Sequence, residues 1–257
     1  MSVVPLYDDL SEDYDHFVNW PARLAFELPF FRRLFEQHHI HSVLDVACGT
    51  GQHAIALARE GYEVAAADLS QAMVERAQAN AAQAGVNIHV YALGFGALAG
   101  SLPGPYDALL CLGNSLPHVT TEEALSQALG DLARVLKPGG LLVIQNRNLD
   151  RVLARQERFM SPEVHRAGED EWIFYRFYDF LGDLLRFNMV RLHRRGEGEW
   201  SARTGYTQLR AWRYELLQRE ITTAGMEAIH AYGSYRGEPF DLAESGDLVL
   251  TAKRSTI

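Results

Sequence analysis

The sequence predicts an α/β protein: a doubly wound sheet with helices on both faces, preceded by an N-terminal helical cap and interrupted late by an antiparallel β insertion. Three observations carry this. Short apolar runs alternate with amphipathic stretches between about residues 42 and 146. The first run, Val43-Leu44-Asp45-Val46, opens into the turn Ala47-Cys48-Gly49-Thr50-Gly51, and the second ends on Asp68. Between residues 160 and 211 the pattern shifts to aromatic and β-branched segments separated by glycine turns.

Residues 1–40 form the expected cap, because Phe17, Trp20, Leu24, Phe30, Phe31, Leu34 and Phe35 recur at mixed helical spacing. Pro21 and Pro29 are read as breaks in it. Strands follow at about 42–46, 63–67, 87–91, 107–112 and 141–146, with helices at about 52–60, 70–84 and 121–136. Such alternation requires a parallel sheet, with ligands at the carboxyl ends of the strands. The insertion, residues 156–210, is expected to hold about three strands, and Leu181-Gly182-Asp183-Leu184 is a hairpin signal inside it. Either it walls off a substrate above the ligand site, or it is a structural or dimer-forming sheet. A helix from Tyr214 to Ala224, the segment Ala228 to Tyr232 and a strand from Asp247 to Ala252 complete the main domain, residues 41–155 and 211–257.

Composition bounds the function. The chain has 257 residues, of which 47% are hydrophobic, enough for one full core with an elaboration. No opening segment has signal-peptide form and no run reaches the length of a membrane span, so a cytoplasmic protein without membrane contact is expected. Cys48 and Cys111 read as buried thiols, and the histidines show no ligand spacing beyond His38, His39 and His41, read as a solvated helix end, so no metal is expected. A net charge of -9 argues against a nucleic-acid partner and for a small-molecule substrate, and it leaves a homo-oligomer open. The arginine-rich stretches 147–158 and 191–195 read as solvated faces.

The glycine turn reads as a nucleoside-cofactor site. Glycine there lets a ligand approach the backbone and the start of the next helix, and the Asp68 carboxylate is placed to accept both hydrogen bonds of a ribose diol. A dinucleotide fingerprint would need a third glycine where Gln52-His53-Ala54 stands. The pattern D-x-A-C-G-T-G instead resembles motif I of the class I S-adenosylmethionine-dependent methyltransferases. The likeness continues through Asp68-Leu69-Ser70, Met73, Tyr106-Asp107-Ala108 and Leu136-Lys137-Pro138-Gly139-Gly140. It implies a Rossmann-like sheet of seven strands, the last one antiparallel, and S-adenosylmethionine as the cofactor. The candidate cofactor residues are Tyr14, Trp20, Asp45, Ala47, Gly49, Gly51, Asp68, Leu69, Met73, Gly94, Phe95, Leu112 and His118.

Two further stretches, Leu112-Gly113-Asn114-Ser115-Leu116-Pro117-His118 and Gln145-Asn146-Arg147-Asn148-Leu149-Asp150, resemble turns of the glycine/sarcosine N-methyltransferase group. The resemblance implies that Leu112 and His118 belong to the cofactor site, that Asn114 and Arg147 hold an amino-acid carboxylate, and that Tyr14 faces the sulfonium. Tyr235 also has a counterpart. Candidate catalytic residues are therefore Tyr14, Asn114, Arg147, His118 and Tyr235. Each has a plainer reading: Tyr14 as a core aromatic, His118 as a residue leading to the Thr120 or Thr121 helix cap, and Arg147 as the partner of Asp150 or another loop carboxylate. Gly94-Phe95 stands where the resembled group has asparagine and tryptophan, and the group's tyrosine just before its last helix has no clear match near Leu209 to Trp212. The expected activity is methyl transfer to a small molecule, most readily the amine of an amino acid or similar carboxylate-bearing compound. An amino sugar or another natural product is the alternative acceptor, and cofactor binding without catalysis is a third reading.

Overall fold

Residues 5–256 are described by a computed structural model of the chain. Three N-terminal helices, α1 (Pro5–Leu10), α2 (Tyr14–Phe17) and α3 (Trp20–Gln37), lead into β1 (Ser42–Val46), α4 (Gln52–Arg59), β2 (Glu63–Asp68), α5 (Gln71–Ala84), β3 (His89–Ala92) and β4 (Tyr106–Cys111). A 3-10 turn (Leu116–His118), α6 (Glu122–Val135), β5 (Leu136–Arg147) and α7 (Leu149–Arg155) follow. The chain then forms β6 (Glu163–Ala167), β7 (Asp170–Leu181), β8 (Leu184–Arg195) and β9 (Ser201–Arg210), before α8 (Tyr214–Thr223), β10 (Met226–Tyr232) and β11 (Asp247–Arg254).

The main sheet has seven strands in the order β10-β11-β5-β4-β1-β2-β3. Strands β1 to β5 pair in parallel, while β11 runs antiparallel to both β5 and β10. All five residues of β1 are buried, as a strand covered on both faces requires. Alternate residues serve opposite layers. Val43, Val64, Ala66, Leu110 and Val143 pack with Phe30, Phe31 and Phe35 of α3 and with Ala54 and Leu57 of α4. Leu44, Val46, Ala65, Leu109 and Ile144 pack with Leu125, Leu129 and Leu132 of α6 and with Leu217 and Ile221 of α8.

The second sheet, β6-β7-β8-β9, is antiparallel throughout. Leu181 pairs with Leu184 around Gly182, whose φ of +70° suits the tight hairpin. One face buries Trp172, Phe174 and Met189 against Leu6 and Leu10 of α1. Tyr178, Leu185 and Leu209 pack on Leu149 and Val152 of α7. A Cβ on Gly205 would come within 2.6 Å of Leu6 Cδ1, so α1 lies directly on β9.

Four details differ from the sequence reading. Pro29 does not break α3, which runs through it; the aromatic side chains on either side bury the same face and outweigh one missing hydrogen bond. The insertion has four strands, because β6 adds an edge to β7 that is short and largely exposed. Stretch 147–158 holds helix α7, with Arg151 paired to Glu157, Arg155 to Glu244 and Arg158 to Asp179. Arg191 is buried rather than solvated, and its guanidinium reaches Asp13 at 2.8 Å and Asp9 at 3.1 Å, tying the N-terminal segment to β8.

Candidate active site

The first cavity, about 510 Å³, opens where β1, β2 and β4 end. The chain leaves β1 through Ala47 at φ +56°, Gly49 at +55° and Gly51 at +78°, left-handed conformations that turn the backbone toward the cavity. Holding alanine there costs conformational energy and marks a site whose geometry is imposed by its surroundings. Asp68 closes one end: Oδ2 accepts from the Gly49 amide at 2.8 Å and Oδ1 from the Ser70 amide at 2.9 Å. Burial pushes its carboxyl up from the ordinary range, and these donors oppose the shift. Leu69, Met73, Gly94 and Phe95 supply an apolar wall, and among the described residues no lysine or arginine lines the cavity. A carbon-rich slot with one carboxylate and no phosphate-binding cation fits a nucleoside cofactor without phosphate, as S-adenosylmethionine is.

A second cavity of about 490 Å³ adjoins it, and Tyr7, Tyr14, Gly113 and His118 line both. Tyr14 begins α2 and lies over the glycine turn, so that a Cβ on Gly49 would stand 3.7 Å from its ring. Asp15 anchors that position. Its Oδ1 accepts from Thr50 Oγ1 at 2.6 Å and Trp20 Nε1 at 3.0 Å, and its Oδ2 accepts from Asn80 Nδ2 at 2.9 Å. His118 ends the 3-10 turn, where its Nε2 meets the Tyr7 hydroxyl at 2.8 Å. Burial lowers its pKa to about 4, so the ring is neutral near pH 7 and accepts the tyrosine proton in hydrogen bonding.

Asn114 has φ +63° and joins two strand ends: its backbone N–H donates to the Gln145 carbonyl, and its Oδ1 accepts from the Arg147 N–H at 3.0 Å. Arg147 therefore enters the second cavity from a backbone held by Asn114. Its guanidinium lies 5.8 Å from the Tyr178 ring centre and makes no ion pair among the described residues. The alternative partner, Asp150, instead accepts from the Tyr214 amide at 2.9 Å at the start of α8. Tyr235 lines the same cavity, and its buried hydroxyl has no partner among the described residues.

Of the sequence-predicted residues, Trp20, Asp45, Gly51 and Leu112 are not brought to either cavity wall. Trp20 packs behind Tyr14 and is held by Asp15. Asp45 lies under the turn, 2% exposed, and its Oδ2 is without a partner; burial raises its pKa to about 6. Gly51 faces Ala77, whose Cβ would be 2.9 Å from a side chain placed there. Leu112 turns into the core beside β4, and its carbonyl accepts from Ser115 Oγ at 2.7 Å. Sequence reasoning missed Tyr7, Arg23, Glu27, Gln145, Arg176, Tyr178 and Asp247, all of which line the second cavity. Only Gln145 carried a local signal, two residues before Arg147; Arg176 and Tyr178 were visible as polar heads in an aromatic strand, with no sign of where they pointed.

Residues 43–140 match a family model described as a methyltransferase domain. The glycine/sarcosine N-methyltransferase of Parasynechococcus marenigrum is 32% identical over 240 residues, covering 89% of this chain and 78% of that protein. The glycine/sarcosine N-methyltransferase of Aphanothece halophytica is 34% identical over 60% of this chain and 57% of its own length. Among solved structures, an S-adenosylmethionine-dependent methyltransferase from Clostridium acetobutylicum superimposes with a TM-score of 0.78 at 18% identity, covering 98% of this chain and 97% of that one. A sugar N-methyltransferase from Streptoalloteichus gives 0.71 at 22% identity over 90% and 88%. With the glycine turn, Asp68 and the adjoining cavities in place, these likenesses show that the chain belongs to the class I S-adenosylmethionine-dependent methyltransferases, in the company of the glycine/sarcosine N-methyltransferase group.

Proposed function

We propose that the chain methylates the amine of a small carboxylate-bearing compound, an amino acid or a close analogue. The observation that carries this is Arg147: a guanidinium in the second cavity, without an ion pair among the described residues, positioned by the Asn114–Arg147 backbone contact. Its planar fork suits a bidentate grip on a carboxylate, and the names of two relatives, both glycine/sarcosine N-methyltransferases, fit such a substrate.

S-adenosylmethionine supplies an electrophilic methyl group on a cationic sulfur. The residues of the chain act by position. Tyr14 stands at the junction of the cavities, and the Tyr235 hydroxyl and Asn114 are placed to orient an amine between Arg147 and that junction. One lone pair of Asn114 Oδ1 is already used by the Arg147 amide, which assigns it as much to holding Arg147 as to touching substrate. Bringing nucleophile and methyl together removes an entropic barrier of about 7 to 11 kcal/mol. An amine must arrive or become neutral, because an ammonium has no lone pair. His118, at about 4 and engaged by Tyr7, is too weak a base to activate a hydroxyl acceptor at neutral pH, which favours nitrogen over oxygen.

The size of the second cavity favours one other acceptor, an amino sugar, since about 490 Å³ exceeds what a simple amino acid fills. Release of S-adenosylhomocysteine across amino acids, amino sugars, amines and phenols, with Arg147→Ala beside the wild type, separates them. The proposal expects turnover on an amino acid whose KM rises about 100-fold in the variant. Turnover confined to uncharged acceptors and indifferent to Arg147→Ala would discard it.

A further inference from the structure

We infer that the acceptor carries a second acid group, held by Arg176, beyond the carboxylate held by Arg147; the substrate is then an amine with two acidic groups, such as an amino dicarboxylate or an amino acid bearing a phosphate monoester. The inference rests on the carboxylate-amine reading above and narrows it.

Arg176 lies on the inward face of β7, two residues from Phe174 and two from Tyr178, both essentially fully buried. A cation there interrupts a run of aromatic side chains and lines the same cavity as Arg147. A guanidinium offers five donors, and burying it is costly unless they are used. This one is poorly supplied. Nη2 donates to Glu163 Oε1 at 3.2 Å, the plane lies 4.7 Å from the Phe17 ring centre, and the buried Nε has no partner among the described residues. Burial disfavours its charge, Glu163 opposes that, and the nearby Arg147 disfavours it again.

The third arginine of the cavity sharpens the contrast. Arg23 is committed to Glu27, Nε to Oε1 at 2.9 Å, and Glu27 in turn to His53, so that cation is neutralised by a buried partner. Arg147 makes no direct ion pair among the described residues: the partly buried Asp247 carboxylate opposite it on β11 feels its charge but is hydrogen-bonded to Gln145 instead, and Glu163, the partner of Arg176, is half exposed. Two cations crowd one wall around Tyr178, which feels both. A ligand with acid groups at two positions satisfies both guanidiniums and relieves their mutual repulsion, and the cavity has room for it. Glu163 occupies Arg176 until a stronger acceptor replaces it.

The test compares acids with their neutral partners: aspartate with asparagine, glutamate with glutamine, and O-phosphoserine with serine. Wild type, Arg147→Ala, Arg176→Gln, Arg176→Lys and Glu163→Gln are assayed with S-adenosylmethionine, and folding is checked by melting. The expected result is a kcat/KM at least about tenfold higher for one acid than for its partner, falling to within about twofold in Arg176→Gln and partly kept in Arg176→Lys. Which pair responds tells carboxylate from phosphate. Glu163→Gln is expected to raise the ratio, and it carries the test if Arg176→Gln does not fold. A wild-type ratio near one, a ratio that survives Arg176→Gln, or a ratio that Glu163→Gln leaves unchanged overturns the second subsite. If those results come with a collapse of turnover in Arg147→Ala, the carboxylate reading stands alone; if Arg147→Ala is also without effect, both fall.

Discussion

The cofactor cavity takes all but Tyr7, Tyr14 and Thr207 of its lining from the stretch Val46 to Ala128, whereas the second cavity, where we propose the acceptor binds, draws on the N-terminal segment, two strand-end turns, the insertion, Tyr235 and Asp247. The first is made by the loops of successive βα units, so residues close in sequence converge. The second is made by packing one sheet and one strap of helix over the end of another sheet. A site of the first kind depends on local backbone geometry; a site of the second kind depends on the contacts that hold separate layers together.

The largest effect that tests this division is loss of Asp68. Its carboxylate holds the Gly49 and Ser70 amides and faces the cofactor cavity alone. Asp68→Ala is expected to weaken cofactor binding by about 100-fold, the worth of one to two charge-assisted hydrogen bonds, as measured by calorimetry with S-adenosylhomocysteine. Arg147→Ala, by contrast, should leave that affinity within about twofold. Equal losses in the two variants would show that the cavities are not separable.

The same division decided what the sequence disclosed. The glycine turn and Asp68 were legible because each sits at a fixed distance from a strand end, and strand ends are set by local hydrophobic patterning, whereas Met73 and Phe95 were reached through the resemblance to the methyltransferase motifs. The Leu112–His118 and Gln145–Asp150 turns could be placed at strand ends by the same patterning, but the roles read for their residues came from the resemblance to the glycine/sarcosine N-methyltransferase group. Tyr7 was not, since its place against His118 depends on α1 lying on β9, a contact across nearly two hundred residues fixed by Leu6 at Gly205. Arg191 was misread because a run of arginines on a strand gives no hint that one of them meets Asp9 and Asp13. The left-handed turns at Ala47 and Asn114 were hidden as well, because neither residue type demands a positive φ.

Asp15 links the two regions, and removing it should disturb both. Asp15→Ala leaves Trp20 Nε1 and Thr50 Oγ1 without that acceptor and Asn80 Nδ2 with only the Thr50 carbonyl, beside Tyr14 at the cavity junction. The expected outcome is a fall in kcat of about tenfold with both KM values raised, and a loss of about 1 to 3 kcal/mol of stability. Asp15→Asn, which keeps an acceptor oxygen, should recover part of it. A change confined to stability would remove Asp15 from the positioning of Tyr14.

Asp107 tests the scaffold apart from either cavity. Its carboxylate accepts from the His41 and Ser42 amides, Ser42 Oγ and Lys137 Nζ, binding the amino ends of β1 and β4 to the loop that opens β5. Although burial acts in the other direction, these partners lower its pKa to about 2. A depressed carboxylate contributes stability above its unfolded value near about 4, and that contribution disappears as the pH falls through about 2. Because water and the half-exposed Lys137 screen this site, Asp107→Asn should cost only about 1 kcal/mol at pH 7 and flatten the stability profile between about pH 4 and 2, with kinetic constants at pH 7 within about twofold.

The smallest effect concerns Gly94, which lines the cofactor cavity and offers no polar side chain to it. A Cβ there would stand 3.0 Å from Leu69 Cδ1 and 3.4 Å from Leu69 Cβ and Cγ, so Leu69 already fills the space that such a side chain would need. Leu69 is half exposed, and its tip can move by the few tenths of an ångström that a methyl group demands. Gly94→Ala should thus weaken cofactor binding only about threefold and change stability by less than about 0.5 kcal/mol. Gly94→Asp should lose about tenfold, because a carboxylate pressed on Leu69 cannot turn toward the ligand. Combining it with Leu69→Ala opens that path and should recover the loss, a coupling that a double-mutant cycle on cofactor affinity measures directly. If the two substitutions add without coupling, Leu69 is not what excludes a side chain from position 94.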